Sequence, residues 1–96
     1  MAPASATETR NFGGVTPAIF ECVKVTSEAA NGPIYEPRHA DRGTATTTST
    51  LWAVILDYVF DPALGEITYS LVHKTWLVPL SPIWQGIEQY IANCNT

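Results

Sequence analysis

Asp57, Tyr69 and His73 are the residues of this sequence whose types and spacing come nearest to acid–base chemistry. A β-hairpin through this region would bring all three side chains to one face that is otherwise aliphatic. A carboxylate or an imidazole in an apolar pocket has a shifted pKa and can act as a general acid or base. However, Asp57 and His73 would lie ~13 Å apart along the sheet. We therefore favour a structural role, in which Asp57 pairs with the Tyr69 hydroxyl or lies at the rim of the sheet.

The hairpin that would carry these residues is the strongest β signal in the chain. Its arms, residues 44–60 and 66–77, are rich in β-branched and aromatic residues, which fit a pleated surface. The connecting loop begins with Asp-Pro and ends with Gly65, and both features are typical of a turn. We expect Phe60 to face Glu66, although a bulge at Gly65 would slip one arm by one residue and exchange the two faces.

Other kinds of site chemistry have little support in the sequence. His39 and His73 are the only histidines, too few for a convincing zinc site, and we expect no metal and no cofactor. Lysine and arginine total five and the formal net charge is −4, which argues against binding to nucleic acids or to anionic membranes. No apolar run reaches the ~18 residues that a membrane-spanning helix needs.

Cys22 and Cys94 are the two cysteines, and their separation excludes a metal-binding C-x-x-C pair. A domain of this size gains most from a covalent link, so we expect a disulfide, which would contribute ~4 kcal/mol by closing a long loop. The alternative is two buried free thiols that pack as small apolar groups. A disulfide would favour a secreted or periplasmic protein, and free thiols a cytoplasmic one.

Four aromatic residues suggest a binding surface. If the C-terminal helix covers one face of the sheet, some of Trp52, Tyr58, Trp76 and Trp84 would form a patch on the other. A contiguous apolar patch marks a partner or ligand surface, so we expect a homo-oligomer, or a site for a small apolar or carbohydrate ligand. The alternative is that these rings close the edges of the core.

The N-terminal part of the chain carries weaker signals. We expect residues 1–14, which are mostly small and polar, to form a flexible arm. The alternation of apolar residues in residues 15–27 predicts a first strand. Residues 28–43 contain several turn-forming pairs and predict a long irregular loop, with a short extended piece at residues 34–35.

Ser81 and Pro82 predict the start of a C-terminal helix, with the serine as N-cap and the proline at the first helical position. Gly86 costs this helix ~1 kcal/mol relative to alanine, and we expect it to let the helix approach the sheet closely. Apolar residues recur at spacings of three and four and form one stripe that should face the sheet. They are Ile83, Ile87, Tyr90, Ile91 and Cys94.

Together these signals predict one α+β domain over residues 15–96. It would be a small antiparallel sheet of three to four strands, built on the long hairpin, with the C-terminal helix packed on one face. The first functional interpretation is a non-catalytic binding or interaction protein that self-associates through an aromatic sheet face. The alternatives are a small acid–base enzyme of lyase or isomerase type, with a pocket between helix and sheet, and a purely structural subunit.

Overall fold

The computed structural model describes residues 8–38, 40–48, 53–75 and 78–95. In these ranges the chain forms a five-stranded antiparallel sheet and two helices. The α+β class is therefore confirmed, and the sheet is larger than the three to four strands expected. In chain order the elements are β1 (Thr9–Phe12), α1 (Pro17–Ala29), β2 (Ile34–Glu36), β3 (Arg42–Thr48), β4 (Ala53–Asp61), β5 (Glu66–Lys74) and α2 (Leu80–Cys94).

Strands β4 and β5 form the predicted hairpin at the centre of the sheet, whose strand order is β1-β5-β4-β3-β2. Gly65 takes a left-handed φ of 66° in the turn between them, a conformation that favours glycine. Phe60 pairs with Ile67, so the expected pairing of Phe60 with Glu66 is wrong by one residue. The reason is that Asp61 still belongs to β4 and pairs with Glu66, which shortens the loop.

The sheet gains two further strands from segments that were predicted otherwise. Residues 44–48, expected within the first hairpin arm, belong to β3, which pairs antiparallel with β4. Residues 9–12, expected in a flexible arm, form β1 and pair with β5 at one edge of the sheet. Residues 1–7 of that arm lie outside the described ranges. The extended piece expected at residues 34–35 is confirmed as part of β2, at the other edge.

The prediction of a strand at residues 15–27 is wrong, because this segment forms helix α1. Thr16 is its N-cap and accepts a hydrogen bond from the backbone N–H of Ile19 at 3.1 Å, and Pro17 follows at the start of the helix. The alternation of apolar residues favoured a strand, but a second pattern, with the spacing of a helix, also runs through the segment and packs on the core. Its buried members are Ile19, Phe20, Val23, Lys24 and Ser27.

Both helices lie on the same face of the sheet, called here the inner face, and enclose the core with it. The Phe20 ring of α1 packs against Tyr58 and Phe60, with centroid distances of 5.6 and 4.7 Å. Trp84 and Ile87 of α2 belong to the same cluster. The central strands contribute every second side chain to this core, as expected for one covered face. These residues are Val54, Leu56, Tyr58 and Phe60 of β4, and Ile67, Tyr69 and Leu71 of β5.

The opposite face of the sheet, called here the outer face, is not covered by any described element. It carries many hydroxyl groups: Thr9 Oγ1 lies 3.2 Å from Ser70 Oγ, and the Asn11 amide donates to Thr68 Oγ1 at 2.9 Å. In the register that the hairpin adopts, most apolar residues of β4 and β5 lie on the inner face of the sheet. The described residues therefore do not form the aromatic outer face that we expected to drive self-association.

Helix α2 confirms the predicted C-terminal helix and its orientation. Ile87 is buried against the core, and Glu88 and Gln89 are exposed on the opposite side. The helix begins at Leu80 and its N-cap position is Pro79, so the expected N-cap role of Ser81 is wrong. No side chain of the described residues caps the helix by a hydrogen bond, and Pro79 before it has an extended backbone with φ −73° and ψ 152°.

Candidate functional site: a cleft between the C-terminal helix and the sheet

An open, apolar cleft lies between α2 and the inner face of the sheet. Its volume is about 530 Å³, within the ~300–1,000 Å³ typical of small-molecule sites. Helix α2 forms one wall, and strands β3 and β4 form the floor. The described lining residues are Thr47, Val54 and Leu56 from the sheet, Pro82, Ile83, Gly86, Ile87 and Tyr90 from α2, and Pro33, Val78 and Pro79 from the adjoining segments.

Gly86 adds to the free space of this cleft. A Cβ atom placed on Gly86 would meet no atom within 4 Å outside its chain neighbours and the local helix backbone. The expected role of Gly86, a close approach of the helix to the sheet, is therefore wrong. Since Ile83 and Ile87 lie on either side of it along the same wall, the missing side chain leaves a gap that an apolar group can occupy.

The lining of the cleft is uncharged at every described position, and its polar side chains are those of Thr47 and Tyr90. Placing an ion in such surroundings is unfavourable unless it finds a partner, whereas apolar groups enter readily. The described lining offers no carboxylate, imidazole or amine. The arrangement can therefore enclose an apolar molecule and make hydrogen bonds to one of its polar groups.

The structure does not bring Asp57, Tyr69 and His73 to one site. Tyr69 is buried on the inner face and pairs across the hairpin with Tyr58. Asp57 pairs with Ser70 and is exposed on the outer face, and His73 is exposed near the end of β5. None of the three candidates lines the cleft. Their expected common face followed from the register error, because a one-residue slip moves side chains to the other face.

A cluster of buried tyrosines forms the polar part of the core, and sequence reasoning missed it. The hydroxyl oxygens of Tyr35 and Tyr69 lie 2.6 Å apart in a hydrogen bond. The Tyr58 hydroxyl donates to the carbonyl oxygens of Pro37 and Ala40, at 3.1 and 3.2 Å. Burial raises the pKa of all three tyrosine hydroxyls above the usual value. They are therefore neutral near pH 7 and act as hydrogen-bonding groups of the core.

Lys24 is the buried cation of the described residues. Its Nζ donates to the carbonyl oxygen of Arg38 at 2.7 Å and lies 4.4 Å from the centre of the Phe20 ring. Glu21 Oε1 is 3.7 Å away. These contacts offset the cost of removing the amine from water. Lys24 thus links α1 to the segment after β2 and lies outside the cleft lining.

Of the four aromatic residues expected at a ligand or interface surface, two lie in the core. Tyr58 is 1% exposed and Trp84 is 5% exposed. The Arg10 guanidinium lies 5.7 Å from the centre of the Trp84 ring. Trp52 and Trp76 lie outside the described residues. A role for these two tryptophans in binding or association stays a prediction. His39, the second histidine, also lies outside the described residues.

Cys22 and Cys94 form a disulfide that joins α1 to α2, as predicted. Their Cα atoms lie 5.8 Å apart, in the usual range for a bridge. The Thr26 hydroxyl is 3.7 Å from one sulfur and 3.8 Å from the other. Since the sulfurs of a disulfide carry no proton, Thr26 is the donor. The bridge fixes the C-terminal end of α2, the helix that forms one wall of the cleft.

Comparisons of the chain with protein-family models, with curated proteins and with solved structures found no match. In the described ranges, no group of three or more His, Cys, Asp or Glu side chains is placed to hold a metal ion. Neither helix of the described part of the chain has both the length and the apolar character needed to cross a membrane. The cleft is therefore the described feature with the best case for a functional role.

Proposed function

We propose that the protein is a non-catalytic binding protein that holds a small apolar molecule in the cleft between α2 and the sheet. The size and composition of the cleft carry this proposal: it encloses about 530 Å³, and its polar side chains are limited to Thr47 and Tyr90. An apolar ligand that enters it removes surface from water, which is favourable by ~25 cal/mol per Å².

A carbohydrate fits the cleft less well than an apolar molecule. Each sugar hydroxyl would lose water on entry and would need a new hydrogen-bonding partner. Thr47 and Tyr90 supply the hydroxyl groups of the described lining, and Tyr90 supplies its aromatic ring. The cleft therefore favours an apolar ligand, the first of the two ligand classes expected from the sequence. An acid–base enzyme has less support, since Asp57, Tyr69 and His73 do not line the cleft.

The disulfide supports a location in an oxidising compartment. Disulfides persist in secreted and periplasmic proteins and are rare in the cytosol. The bridge between Cys22 and Cys94 is compatible with a secreted or periplasmic binding protein, and we include this location in the proposal. The test of this location is the thiol content of the protein taken directly from its natural compartment. Free thiols in that protein would contradict the proposed location.

The binding proposal is tested by titration with N-phenyl-1-naphthylamine, a neutral apolar dye whose fluorescence rises in apolar surroundings. We expect saturable binding of one dye per chain to the wild-type protein. In Gly86→Leu a branched side chain occupies the gap in the cleft wall, so the affinity for the dye should fall at least ~10-fold. The absence of saturable binding to the wild type would overturn the proposal.

Ala92→Leu is the matched control for this substitution. Ala92 lies on the same helix and is exposed, and it is not among the residues of the cleft. The substitution therefore adds an apolar side chain to α2 without entering the cleft, and dye affinity should stay at the wild-type level. An equal loss of affinity in the two variants would place dye binding elsewhere and contradict the proposal.

A further inference from the structure

The charge of the cleft lining limits the kind of ligand it can take. No described lining residue is charged, and the chain as a whole carries a formal net charge of −4. A carboxylate head group would lose water without gaining an ion partner, and the negative protein would repel it. An ammonium group would find no carboxylate among the described lining residues. The polar part of a well-fitting ligand is therefore uncharged.

Thr47 and Tyr90, the two lining residues that carry hydroxyl groups, lie toward the same end of the cleft. Ile34 pairs with Thr46 across β2 and β3, so the next position along this register places Pro33 opposite Thr47. The Tyr90 hydroxyl lies against Gly32, since a Cβ atom built on Gly32 would fall 2.6 Å from it. Thr47 and Tyr90 thus both lie near the turn that precedes β2.

The other end of the cleft is apolar. Pro79, Pro82 and Ile83 line it at the start of α2. Ile83 precedes Tyr90 by seven residues, which corresponds to ~10 Å along a helix. The cleft therefore has a hydrocarbon end and a hydroxyl end separated by about two helical turns, which is the layout of a site for an elongated amphiphile.

We propose that the ligand of the cleft is a neutral amphiphile, with a hydrocarbon body and a single hydroxyl or carbonyl group. That group hydrogen-bonds to Thr47 and Tyr90, and the hydrocarbon extends toward Pro79 and Ile83. Long-chain alcohols and neutral isoprenoid alcohols or ketones have this chemistry. The assignment rests on the proposed function, and it adds the charge, the polarity and the orientation of the ligand.

The experiment measures displacement of N-phenyl-1-naphthylamine by three ligands of equal chain length: 1-decanol, decanoate and decylammonium. At neutral pH, 1-decanol should displace the dye at a concentration at least ~10-fold lower than either ion. Tyr90→Phe and Thr47→Val should each weaken 1-decanol ~2- to 10-fold, the range expected for one hydrogen bond. The affinity of each variant for the dye is measured by direct titration, and the displacement by 1-decanol is corrected for it. Thr46→Val, the same substitution on the outer face of β3, is the control and should have no effect.

The outcomes separate this assignment from the proposed function. If the dye does not bind the wild-type protein, the proposed function fails and the assignment fails with it. If the dye binds in the cleft but decanoate or decylammonium competes as well as 1-decanol, the neutral-ligand assignment is overturned and the proposed function stands. If 1-decanol is preferred but both hydroxyl variants bind it like the wild type, the assigned orientation is wrong.

Discussion

The hydroxyl oxygens of Tyr35 and Tyr69 lie 2.6 Å apart and join two strands that are not neighbours in the sheet. Tyr35 belongs to the edge strand β2, whereas Tyr69 belongs to β5, on the far side of β3 and β4. The two side chains reach toward each other over the inner face, beneath the helices. Both residues are buried, so each hydroxyl needs the other as a hydrogen-bonding partner.

This pair predicts a loss of stability at alkaline pH. Burial raises the pKa of Tyr35 and Tyr69 in the folded protein, whereas the unfolded chain ionises near the ordinary value of ~10. Above that pH the unfolded state releases protons that the folded state keeps, so the free energy of unfolding falls. The expected slope is ~1.4 kcal/mol per pH unit for each tyrosine that stays protonated. Urea unfolding on both sides of ~pH 10 measures it.

The double variant Tyr35→Phe/Tyr69→Phe is the control for the alkaline transition. It removes both hydroxyls together, so neither is left buried without a partner. The free energy of unfolding should then fall less steeply above ~pH 10. The slope that still comes from tyrosine ionisation is that of Tyr58, whose pKa is also raised by burial. The same slope in the double variant and in the wild type would show that this pair does not cause the alkaline loss.

The packing of α2 on the sheet predicts unequal effects at two adjacent positions. Ile87 is 3% exposed and belongs to the core, so Ile87→Ala should lower the free energy of unfolding by ~2–4 kcal/mol. Glu88 is exposed, and Glu88→Ala should change it by less than ~0.5 kcal/mol. Chemical denaturation of both variants is the measurement. Similar losses at the two positions would mean that the helix is turned differently about its axis.

The disulfide between Cys22 and Cys94 closes a loop with a sequence separation of 72 residues. In the chain-entropy account, a loop of this length contributes ~4 kcal/mol by restricting the unfolded chain. The double variant Cys22→Ala/Cys94→Ala should lose stability of that order. Intact mass after alkylation without reductant provides the direct check of the bond. Two alkylated thiols in the native protein, purified under oxidising conditions, would contradict it.

Self-association through Trp52 and Trp76 stays a prediction from the sequence. The described aromatic residues of the sheet lie on the inner face, so the case for an aromatic interface now depends on these two tryptophans. Light scattering at micromolar concentration should give a mass above the 10.5 kDa of one chain, and Trp52→Ala should reduce it. A mass of 10.5 kDa for the wild type would contradict the prediction.

Features with strong local signals could be predicted from the sequence. The β4–β5 hairpin follows from two β-rich runs around Gly65, and α2 follows from its apolar stripe. A local signal for a helix start was also present before α1, but the prediction gave more weight to the alternating apolar pattern that follows it. Thr16 and Pro17 carry the same pair of residue types that predicted a helix start at Ser81 and Pro82, yet the alternating apolar residues after them favoured a strand. The helical spacing of the buried side chains decided the outcome, because it allows the segment to cover the sheet.

A pocket between helix and sheet was expected for the enzyme alternative, but its lining could not be predicted, because the lining depends on which residues share a face. With Phe60 opposite Glu66, Val54 and Leu56 would lie on the face opposite to Ile67. The actual pairing of Phe60 with Ile67 puts them all on the inner face, beneath α2. A bulge between Ile55 and Leu56 shifts the register again farther along the hairpin. Gly86 was the one local sign of free space in the helix. It was interpreted instead as a position at which the helix approaches the sheet closely.

Methyl-detected NMR of the wild-type protein, titrated with 1-decanol, tests the central claim most directly. Binding in the cleft should shift the methyl signals of its lining residues in a saturable way, with Leu56, Ile83 and Ile87 as the clearest reporters. The methyl signals of Val59 and Leu64, which are 44% and 68% exposed and lie outside the cleft, should not move. Saturable shifts confined to the first group are the predicted result. Shifts confined to Val59 and Leu64, or no saturable shift of the cleft signals, would contradict a ligand site between α2 and the sheet.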